Sequence, residues 1–311
     1  MTLAPFVQIV ARGKGRARAM TMAEAQEAMT LILQGHAAPE AVGALLMVMR
    51  LRGETADEIA GFTAALRGHV AGTLPQADLD WPSYAAGRSR GAPLFLLAAR
   101  LVGQAGYTVS MHGWNSHQAP AASLREALDL AGPHVQYTPL ETLSPAAFEL
   151  LNLRDTFGLR SCFNTVLRMW NPAQARASVQ GVFHPSYRSL QAQAAALLGA
   201  RDLSIIKGGG GEFERHPSKD ITVFGLRDGE HIQAPAKPLI GDTRRLHETD
   251  AAIDLRALWE GQRVDPFAIA SITGTAAIAL WTLKAAPTLD AAHALSRRLW
   301  AARHQPESLT A

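Results

Sequence analysis

The sequence predicts an α/β protein in which a small N-terminal helical bundle precedes a larger domain with a mainly parallel central sheet. Two capping boxes indicate the bundle, Thr21 with Glu24 and Thr55 with Glu58. In each, the hydroxyl and the carboxylate three residues later can satisfy each other's free backbone N–H groups at a helix start. Beyond about residue 76, short apolar runs alternate with helical patterns, which is typical of a parallel sheet covered by helices.

The bundle occupies residues 1–70. Its first capped helix ends near Gly35, its second begins at Pro39 and ends at Gly53, and its third opens at Thr55. Proline suits the first turn of a helix and glycine its end, so these short turns fit consecutive helices. Residues 71–82 contain Gly72, Pro75 and Pro82 and are predicted to be a linker.

The larger domain is predicted from alternating patterns. Strands are expected at residues 107–111, 202–206 and 221–226. Helices are expected at residues 94–102, 123–130, 147–176, 189–198, 251–259, 267–284 and 289–302, the third of them interrupted near Gly158 and Asn171.

The composition is that of a globular protein. Of 311 residues, 48% are hydrophobic and 18% are charged, which excludes a disordered chain. No apolar run reaches the length of a membrane span, and the N-terminus lacks the pattern of a signal peptide. Cys162 is the one cysteine, so an internal disulfide framework and a cysteine-rich metal site are excluded. A cytoplasmic protein without membrane partners is expected.

The charge distribution suggests an anionic partner. The formal charge is +3 and the pI is about 9.2. One basic cluster holds Arg12, Lys14, Arg16 and Arg18, and a second runs through Arg154, Arg160, Arg168, Arg176 and Arg188. Such clusters either contact phosphates or form solvated faces, and charge alone leaves both interpretations open.

A glycine run follows a predicted strand. Lys207 precedes Gly208–Gly211, an order that resembles a phosphate cradle. The Walker pattern needs Gly-Lys-Ser/Thr after the glycines, however, and Glu212 stands there instead. A flexible loop is the alternative interpretation.

Several segments together resemble the family of anthranilate phosphoribosyltransferases and nucleoside phosphorylases, the glycosyltransferase family 3 fold. These are the helical opening up to Gly53-Glu54, Val109–Gly113, Phe157–Asn164 with Asn171-Pro172-Ala173, and Gly181–Pro185. The resemblance implies a helical domain of residues 1–70 plus about 147–176, and an α/β domain of about 76–146 and 177–311. It also implies a homodimer formed through the helical domain, for which Leu45, Leu46, Met47 and Met49 would supply apolar surface.

The phosphate loop of that family is altered in this chain. The enzymes carry Gly-Thr-Gly-Gly-Asp, whose glycines let the backbone approach phosphate. The corresponding stretch here runs from Pro82 to Gly91 and retains only Gly87 and Gly91 of the glycines, and it also contains Tyr84, Arg88 and Arg90. Backbone donors for a pyrophosphate leaving group are therefore expected to be reduced.

Other groups needed for phosphoribosyl transfer are also missing. Met111 stands where the resemblance implies a lysine, and Phe213-Glu214 stands where it implies an Asp-Glu metal pair. A single carboxylate beside phenylalanine is a poor Mg²⁺ site, because Mg²⁺ prefers oxygen ligands in a strict octahedron. We therefore expect no metal and no cofactor.

Some family positions survive. Arg160 matches the arginine that holds the anthranilate carboxylate in the enzymes, and His112, Gly113, Asn115 and His184 remain. Arg160 could instead pair with Asp155, and the histidines could be ordinary hydrogen-bonded residues. The predicted degenerate ligand pocket therefore comprises Tyr84, Gly87, Arg88, Arg90, His112, Gly113, Asn115, Arg160 and Glu214.

The losses resemble the YbiB-like branch of this family, which implies a non-enzymatic protein that binds nucleic acid, single strands included, with little sequence selectivity. The predicted contacts are Arg12, Lys14, Arg16, Arg18, Arg154, Arg168, Arg176 and Lys207, with Trp114 and Tyr84 as candidate stacking rings. A transferase with an altered substrate and a sensor of a phosphorylated metabolite remain as alternatives.

Overall fold

The computed structural model describes residues 2–84, 91–114, 122–242 and 253–304. The chain divides into two compact units. The helical unit comprises Met1–Leu74, Pro139–Pro172 and Leu190–Ala200, and the sheet unit comprises Pro75–Thr138, Ala173–Ser189 and Arg201–Ala311. The helical unit therefore takes in residues 139–172, where the sequence places the returning helices at about 147–176.

The helices and strands follow one another in chain order. The helices are α1 (Ala4–Ala11), α2 (Gly13–Arg16), α3 (Met22–Leu33), α4 (Pro39–Arg52), α5 (Ala56–Arg67), α6 (Leu94–Gln104), α7 (Leu140–Leu143), α8 (Pro145–Phe157), α9 (Phe163–Arg168), α10 (Tyr187–Leu197), α11 (Leu255–Glu260), α12 (Pro266–Thr282) and α13 (Leu289–Ala301). The strands are β1 (Leu79–Ser83), β2 (Val109–Gly113), β3 (Val135–Pro139), β4 (Ala177–Val182), β5 (Asp202–Lys207), β6 (Ile221–Arg227) and β7 (Glu230–Ala236). No helix among the described residues is both long enough and apolar enough to cross a bilayer.

Both predicted capping boxes are present, at the starts of α3 and α5. The second also anchors the helical unit, because the Glu58 carboxylate is fully buried and accepts hydrogen bonds from Met20 N at 2.9 Å and Arg52 Nη2 at 2.5 Å. One glycine lets α3 and α5 approach closely. A Cβ on Gly61 would lie 2.3 Å from the carbonyl oxygen of Met22 and 2.6 Å from Cβ of Ala25.

The seven strands form one sheet in the order β3-β2-β1-β4-β5-β6-β7. β1 pairs in parallel with β2 and with β4, and β4 pairs in parallel with β5, whereas β6 and β7 join as antiparallel strands at one edge. Helices α6 and α12 pack on one face of the sheet, where Trp81 contacts Phe213 and Thr282 bonds to Ser204. The prediction of a mainly parallel sheet is confirmed.

The strand positions were only partly predicted. The predicted linker at residues 71–82 is wrong at its end, because β1 begins at Leu79 and is buried along its whole length. β3, β4 and β7 were missed, and the helix expected at residues 123–130 is a 3₁₀-helix at Arg125–Leu130. β1 was missed because it is short and contains a proline, which the pattern takes as a breaker.

Candidate functional site

The order of the strands reverses at the centre of the sheet unit. β2 and β3 lie on one side of β1, while β4 and β5 lie on the other. In open α/β sheets, ligands bind outside the carboxyl ends of the strands at such a switch point. Here those ends are Ser83 of β1 and Val182 of β4, and the residues around them form the candidate site.

A chain of polar side chains fills the sheet face just inside this edge. Tyr84 Oη lies 2.7 Å from Nδ1 of His112, and Nε2 of His112 lies 3.1 Å from Oδ1 of Asp80. Ser178 Oγ donates to the other oxygen of Asp80 at 2.9 Å. A neutral imidazole with its proton on Nε2 satisfies both of its contacts, donating to Asp80 and accepting from the tyrosine hydroxyl.

The strand register brings these side chains together. Pro82 of β1 lies opposite His112 of β2, and Asp80 lies opposite both Ser110 of β2 and Ser178 of β4. Because side chains alternate between faces along a strand, these positions share one face of the sheet. Asp80 and His112 are fully buried and Tyr84 is 2% exposed, so each depends on its neighbours for hydrogen bonds.

Glycines let the backbone pack tightly at the same edge. A Cβ on Gly113 would lie 1.9 Å from the carbonyl oxygen of Ser83. On the next strands, a Cβ on Gly208 would lie 1.6 Å from the Glu212 carbonyl oxygen, and one on Gly181 would lie 2.1 Å from its carbonyl carbon. The glycine run after β5 also bonds to the chain itself, because the N–H of Gly209 donates to the Glu214 carbonyl oxygen at 3.1 Å and that of Gly211 to the Gly208 carbonyl oxygen at 3.3 Å.

The Glu214 carboxylate lies at the start of helix α6. Its Oε2 accepts a hydrogen bond from the backbone N–H of Phe95 at 2.9 Å, and the side chain is fully buried. A helix N-terminus offers free N–H groups and partial positive charge, which favour an anion. In this chain the Glu214 carboxylate is the anion at the start of α6. The partial positive charge of the helix end makes cation binding at this carboxylate less favourable. These residues do not fit a Mg²⁺ ion, and the described residues contain no cluster of three or more histidine, cysteine or acidic side chains that could hold a metal.

The solvent side of the edge carries an aromatic and a basic group. Phe183 is 44% exposed, and its ring centroid lies 4.9 Å from that of His184, which is also exposed. Lys207, at the end of β5, is exposed and lies opposite Val182, the residue before Phe183. The edge therefore presents an exposed ring and an exposed cation at the ends of two neighbouring strands, β4 and β5.

The helical unit contains a second candidate feature, a group of three arginines. Burial, followed by repulsion from Arg154 and Arg50, lowers the pKa of the Arg160 guanidinium, which stays protonated because arginine titrates far above neutral pH. The alternative interpretation, in which Arg160 pairs with Asp155, does not hold, because among the described residues Arg160 has no carboxylate partner. Arg160 thus lies close enough to both Arg154 and Arg50 to be repelled by their charges, and such a surplus of positive charge around Arg160 favours an anion.

The N-terminal basic cluster is only partly available. Arg12 and Arg16 are exposed, whereas Arg18 forms a 2.6 Å ion pair with Glu24. The hydrogen bond from Arg18, together with those from Thr21, lowers the pKa of Glu24 to about 2. The side chain of Lys14 lies outside the described part of the chain. Gly13 and Gly15 both lie within the short helix α2.

Of the other predicted contacts, Arg168 and Tyr84 are corrected, whereas Arg176 stays a prediction. Arg168 is only 5% exposed and donates to the backbone oxygen of Asn164, so it cannot reach a phosphate backbone. Arg176 is exposed but lies in the sheet unit, where it pairs with Asp78 at 3.4 Å. Tyr84 is buried and cannot stack on a base. Trp114 is half-buried, with the Arg125 guanidinium 4.6 Å from its ring centroid.

Part of the predicted pocket lies outside the described residues. This concerns Gly87, Arg88, Arg90 and Asn115. Of the remaining predicted pocket residues, the structure brings Tyr84, His112 and Gly113 together at the carboxyl edge, and it places Glu214 at the helix start. Arg160 belongs to the helical unit.

Comparison with known proteins identifies the family to which this chain belongs. Residues 7–70 match the family model described as the helical bundle domain of a glycosyl transferase family. The anthranilate phosphoribosyltransferase of Symbiobacterium thermophilum is 30% identical over 239 residues, which are 71% of this chain and 68% of the relative. The chain belongs to the anthranilate phosphoribosyltransferase family. The enzyme of the same name from Geobacillus stearothermophilus is 28% identical over 305 residues, 89% of each chain.

Solved structures of the family have the same fold. The crystal structure of the anthranilate phosphoribosyltransferase from Thermus thermophilus superposes with a TM-score of 0.74 at 25% identity, covering 91% of this chain and 92% of that one. The enzyme from Saccharomyces cerevisiae in complex with PRPP and Mg superposes with a TM-score of 0.71 at 15% identity, covering 97% and 95%. The predicted fold class and family resemblance are thus confirmed.

The sequence missed some residues of the edge. The sequence pattern places Asp80 in a linker and gives no signal at Ser178. Both residues nevertheless belong to the buried series of hydrogen-bonded side chains. An acidic residue inside a short apolar run, at Leu79-Asp80-Trp81, was the signal that could have identified a buried, hydrogen-bonded carboxylate.

Proposed function

We propose that this member of the family does not transfer phosphoribosyl groups and instead binds nucleic acid, single strands included, through its phosphate backbone. The observation that carries the proposal is the group formed by Arg50, Arg154 and Arg160, in which Arg160 has no carboxylate partner among the described residues. Guanidinium groups bind phosphate oxygens strongly and in bidentate fashion, and neutralising phosphates releases counterions.

The carboxyl edge supports the loss of transfer. Tyr84, His112 and Asp80 bond to one another in the interior, and Glu214 caps helix α6. These polar side chains at the carboxyl edge are thus engaged within the chain and not directed at a pyrophosphate leaving group or its metal. The packed backbone at Gly181 and Gly208 leaves the glycine run without the open amide cradle of a phosphate loop.

The exposed side of the edge supports binding to single strands. Phe183 offers a ring on which a base can stack, and Lys207 offers a nearby cation for a phosphate. Stacking on aromatic rings is tolerant of sequence because every base has a π-face. Low sequence selectivity is therefore part of the proposal.

The proposal also includes a homodimer formed through the helical domain. Leu45, Leu46 and Met49 do not supply the apolar surface of that dimer, because they are buried within the chain. Leu51, by contrast, is 90% exposed.

The first prediction concerns catalysis. With anthranilate, phosphoribosyl pyrophosphate and Mg²⁺, we expect no product above the uncatalysed rate, because the phosphate loop is altered and because Met111 and Phe213-Glu214 stand in place of the family's lysine and Asp-Glu metal pair. A coupled fluorescence assay of anthranilate consumption, run beside an active relative, measures this. Mg²⁺-dependent consumption would contradict the proposal, while tight binding of phosphoribosyl pyrophosphate without turnover would favour a phosphometabolite sensor.

The second prediction concerns the arginine group. The double variant Arg50→Gln/Arg160→Gln is expected to weaken binding of a labelled single-stranded oligonucleotide about tenfold at low salt, because two phosphate contacts are lost. The slope of log affinity against log salt should flatten by about 1.4, at about 0.7 per phosphate. Fluorescence anisotropy titrations give both values.

The control for this experiment is Arg201→Gln. Arg201 is an exposed arginine, 67% accessible, and it pairs with Asp228 at 3.7 Å in the sheet unit. Its variant should bind like the wild type. Equal binding by the double variant and the wild type would remove the arginine group from the interface.

A further inference from the structure

A cavity of about 520 Å³ lies in the sheet unit beside helices α12 and α13. Its walls are mostly apolar and include Leu239, Ile269 and Trp300. Val264 also lines it and is 74% exposed, so an apolar rim faces solvent. Cavities of this size and lining accommodate small organic molecules.

A buried cation lies behind this cavity. Arg215 is 4% exposed, and among the described residues its guanidinium has no carboxylate partner. One of its terminal nitrogens donates to the backbone oxygen of Lys237, while its Nε is buried without a hydrogen-bond partner. Burial lowers the pKa of Arg215 to about 10. An unpaired buried charge is costly, so a counter-ion would be expected at this position.

The position of Arg215 is fixed by α12. Its backbone N–H donates to Thr275 Oγ1 at 2.9 Å, and its carbonyl oxygen accepts from Ser271 Oγ at 2.9 Å. Its side chain lies against Gly274, where a Cβ would be 3.1 Å from Cδ of Arg215 and 2.6 Å from Cδ1 of Leu239. The guanidinium arm is therefore beside Leu239, which is a wall of the cavity.

Two further basic groups line the cavity from α13. His293 and Arg297 are four residues apart and so lie on one helix face. Burial, then repulsion from Arg215 and Arg297, lowers the pKa of His293, and Asp290 opposes this shift. Arg215 and Arg297 therefore both lie close enough to His293 to repel its protonated form. The basic groups are thus concentrated on one side of an otherwise apolar cavity.

We propose that this cavity binds an organic acid, with an aliphatic or aromatic body against Leu239, Ile269 and Trp300 and a carboxylate among Arg215, His293 and Arg297. The apolar walls select the body, and the cations select the charge. This site is separate from the arginine group of the helical unit, and it does not depend on nucleic-acid binding.

The probes are octanoate and 1-octanol, titrated into the full-length protein by calorimetry. Both carry the same alkyl chain, so the comparison isolates the carboxylate. We expect octanoate to bind at least about tenfold more tightly than octanol, since a charge-assisted contact in a partly desolvated site contributes more than a neutral one. Equal affinities, or no binding of octanoate at millimolar concentration, would overturn the proposal.

A matched pair of variants locates the site. Arg297 and Arg298 are adjacent exposed residues on α13, but only Arg297 is among the residues that line the cavity. Arg297→Gln should lower octanoate affinity about fivefold or more, whereas Arg298→Gln should leave it unchanged. Equal effects of the two substitutions would mean that octanoate binds through general surface charge, and would overturn the assignment.

A third variant tests the buried cation. Arg215→Met removes a charge that has no acidic partner among the described residues. The ligand-free variant should therefore have a melting temperature no lower than that of the wild type. The rise in melting temperature that octanoate causes in the wild type should disappear in the variant. An undiminished rise would exclude Arg215 from the site. If Arg215→Met does not fold, the result with Arg297→Gln decides.

Discussion

Replacing His112 with leucine is expected to lower the free energy of unfolding by about 3–5 kcal/mol, because it leaves the buried Asp80 carboxylate with one partner fewer. In the wild type, Asp80 accepts from His112 and Ser178, and the tyrosine hydroxyl at Tyr84 bonds to the same imidazole. Leucine fills similar space but offers no donor. Two buried polar groups would thus lose a hydrogen bond at once.

Urea denaturation monitored by tryptophan fluorescence measures this effect. The signal reports mainly on the sheet unit, which contains His112, because only Trp170 of the six tryptophans belongs to the helical unit. The variant Asp80→Asn/His112→Leu removes the carboxylate as well, and it should be destabilised by less than the sum of the two single variants. His231→Leu is the control, because His231 is exposed on β7. Additive effects of the two substitutions would contradict a coupled buried chain.

Gly61→Ala is expected to lower the free energy of unfolding of the helical unit by about 2 kcal/mol. The new methyl group would lie 2.3 Å from the Met22 carbonyl oxygen and 2.6 Å from the Cβ of Ala25, so α3 and α5 would have to separate. Overpacking of this kind costs about 1–3 kcal/mol or more, which exceeds the gain of about 0.5–1 kcal/mol from alanine in a helix interior.

Gly43 provides the matched control for that substitution. It lies within helix α4 of the same unit, but a Cβ there would meet the Phe157 ring at 3.5 Å, an ordinary contact distance. Gly43→Ala should therefore be neutral or stabilising by up to about 1 kcal/mol. Far-UV circular dichroism during thermal unfolding follows both variants. Similar melting temperatures for the two would refute the close approach of α3 and α5.

Local chemistry made the helical unit predictable from sequence. The capping boxes at Thr21 and Thr55 mark two helix starts, and Pro39 and Gly53 bound the helix between them. Each of these signals depends on residues within one turn of the helix end. Their agreement with the structure therefore needed no knowledge of tertiary contacts.

The carboxyl edge of the sheet was less predictable because its contacts are long-range. His112 and Asp80 are 32 residues apart, and Asp80 and Ser178 are 98 residues apart. The proline in Leu79-Asp80-Trp81-Pro82 favours a loop over a central strand, and the acidic residue in this short apolar run does not by itself identify its distant partners. Glu214 was predicted as the remnant of a metal pair, whereas its partner is the amide of Phe95 on a helix 119 residues earlier.

The charge of a side chain was also a weaker guide than its surroundings. Arg168 and Arg160 look alike in the sequence, yet Arg168 is buried and donates to the backbone of Asn164, whereas Arg160 lies near Arg50 and Arg154. Arg50 could not be linked to Arg160 from sequence, because 110 positions separate them. Only the packing of the helical unit distinguishes a structural arginine from a candidate for phosphate binding.

The most direct test of the proposed function is the affinity of the wild-type protein for a labelled single-stranded oligonucleotide, measured by anisotropy from 50 to 300 mM salt. We expect measurable binding at 50 mM and a linear fall of log affinity with log salt, with a slope of about −0.7 per phosphate neutralised. A scrambled oligonucleotide of equal length should give the same line. Absence of binding at 50 mM salt, or an affinity that does not change with salt, would contradict the proposal.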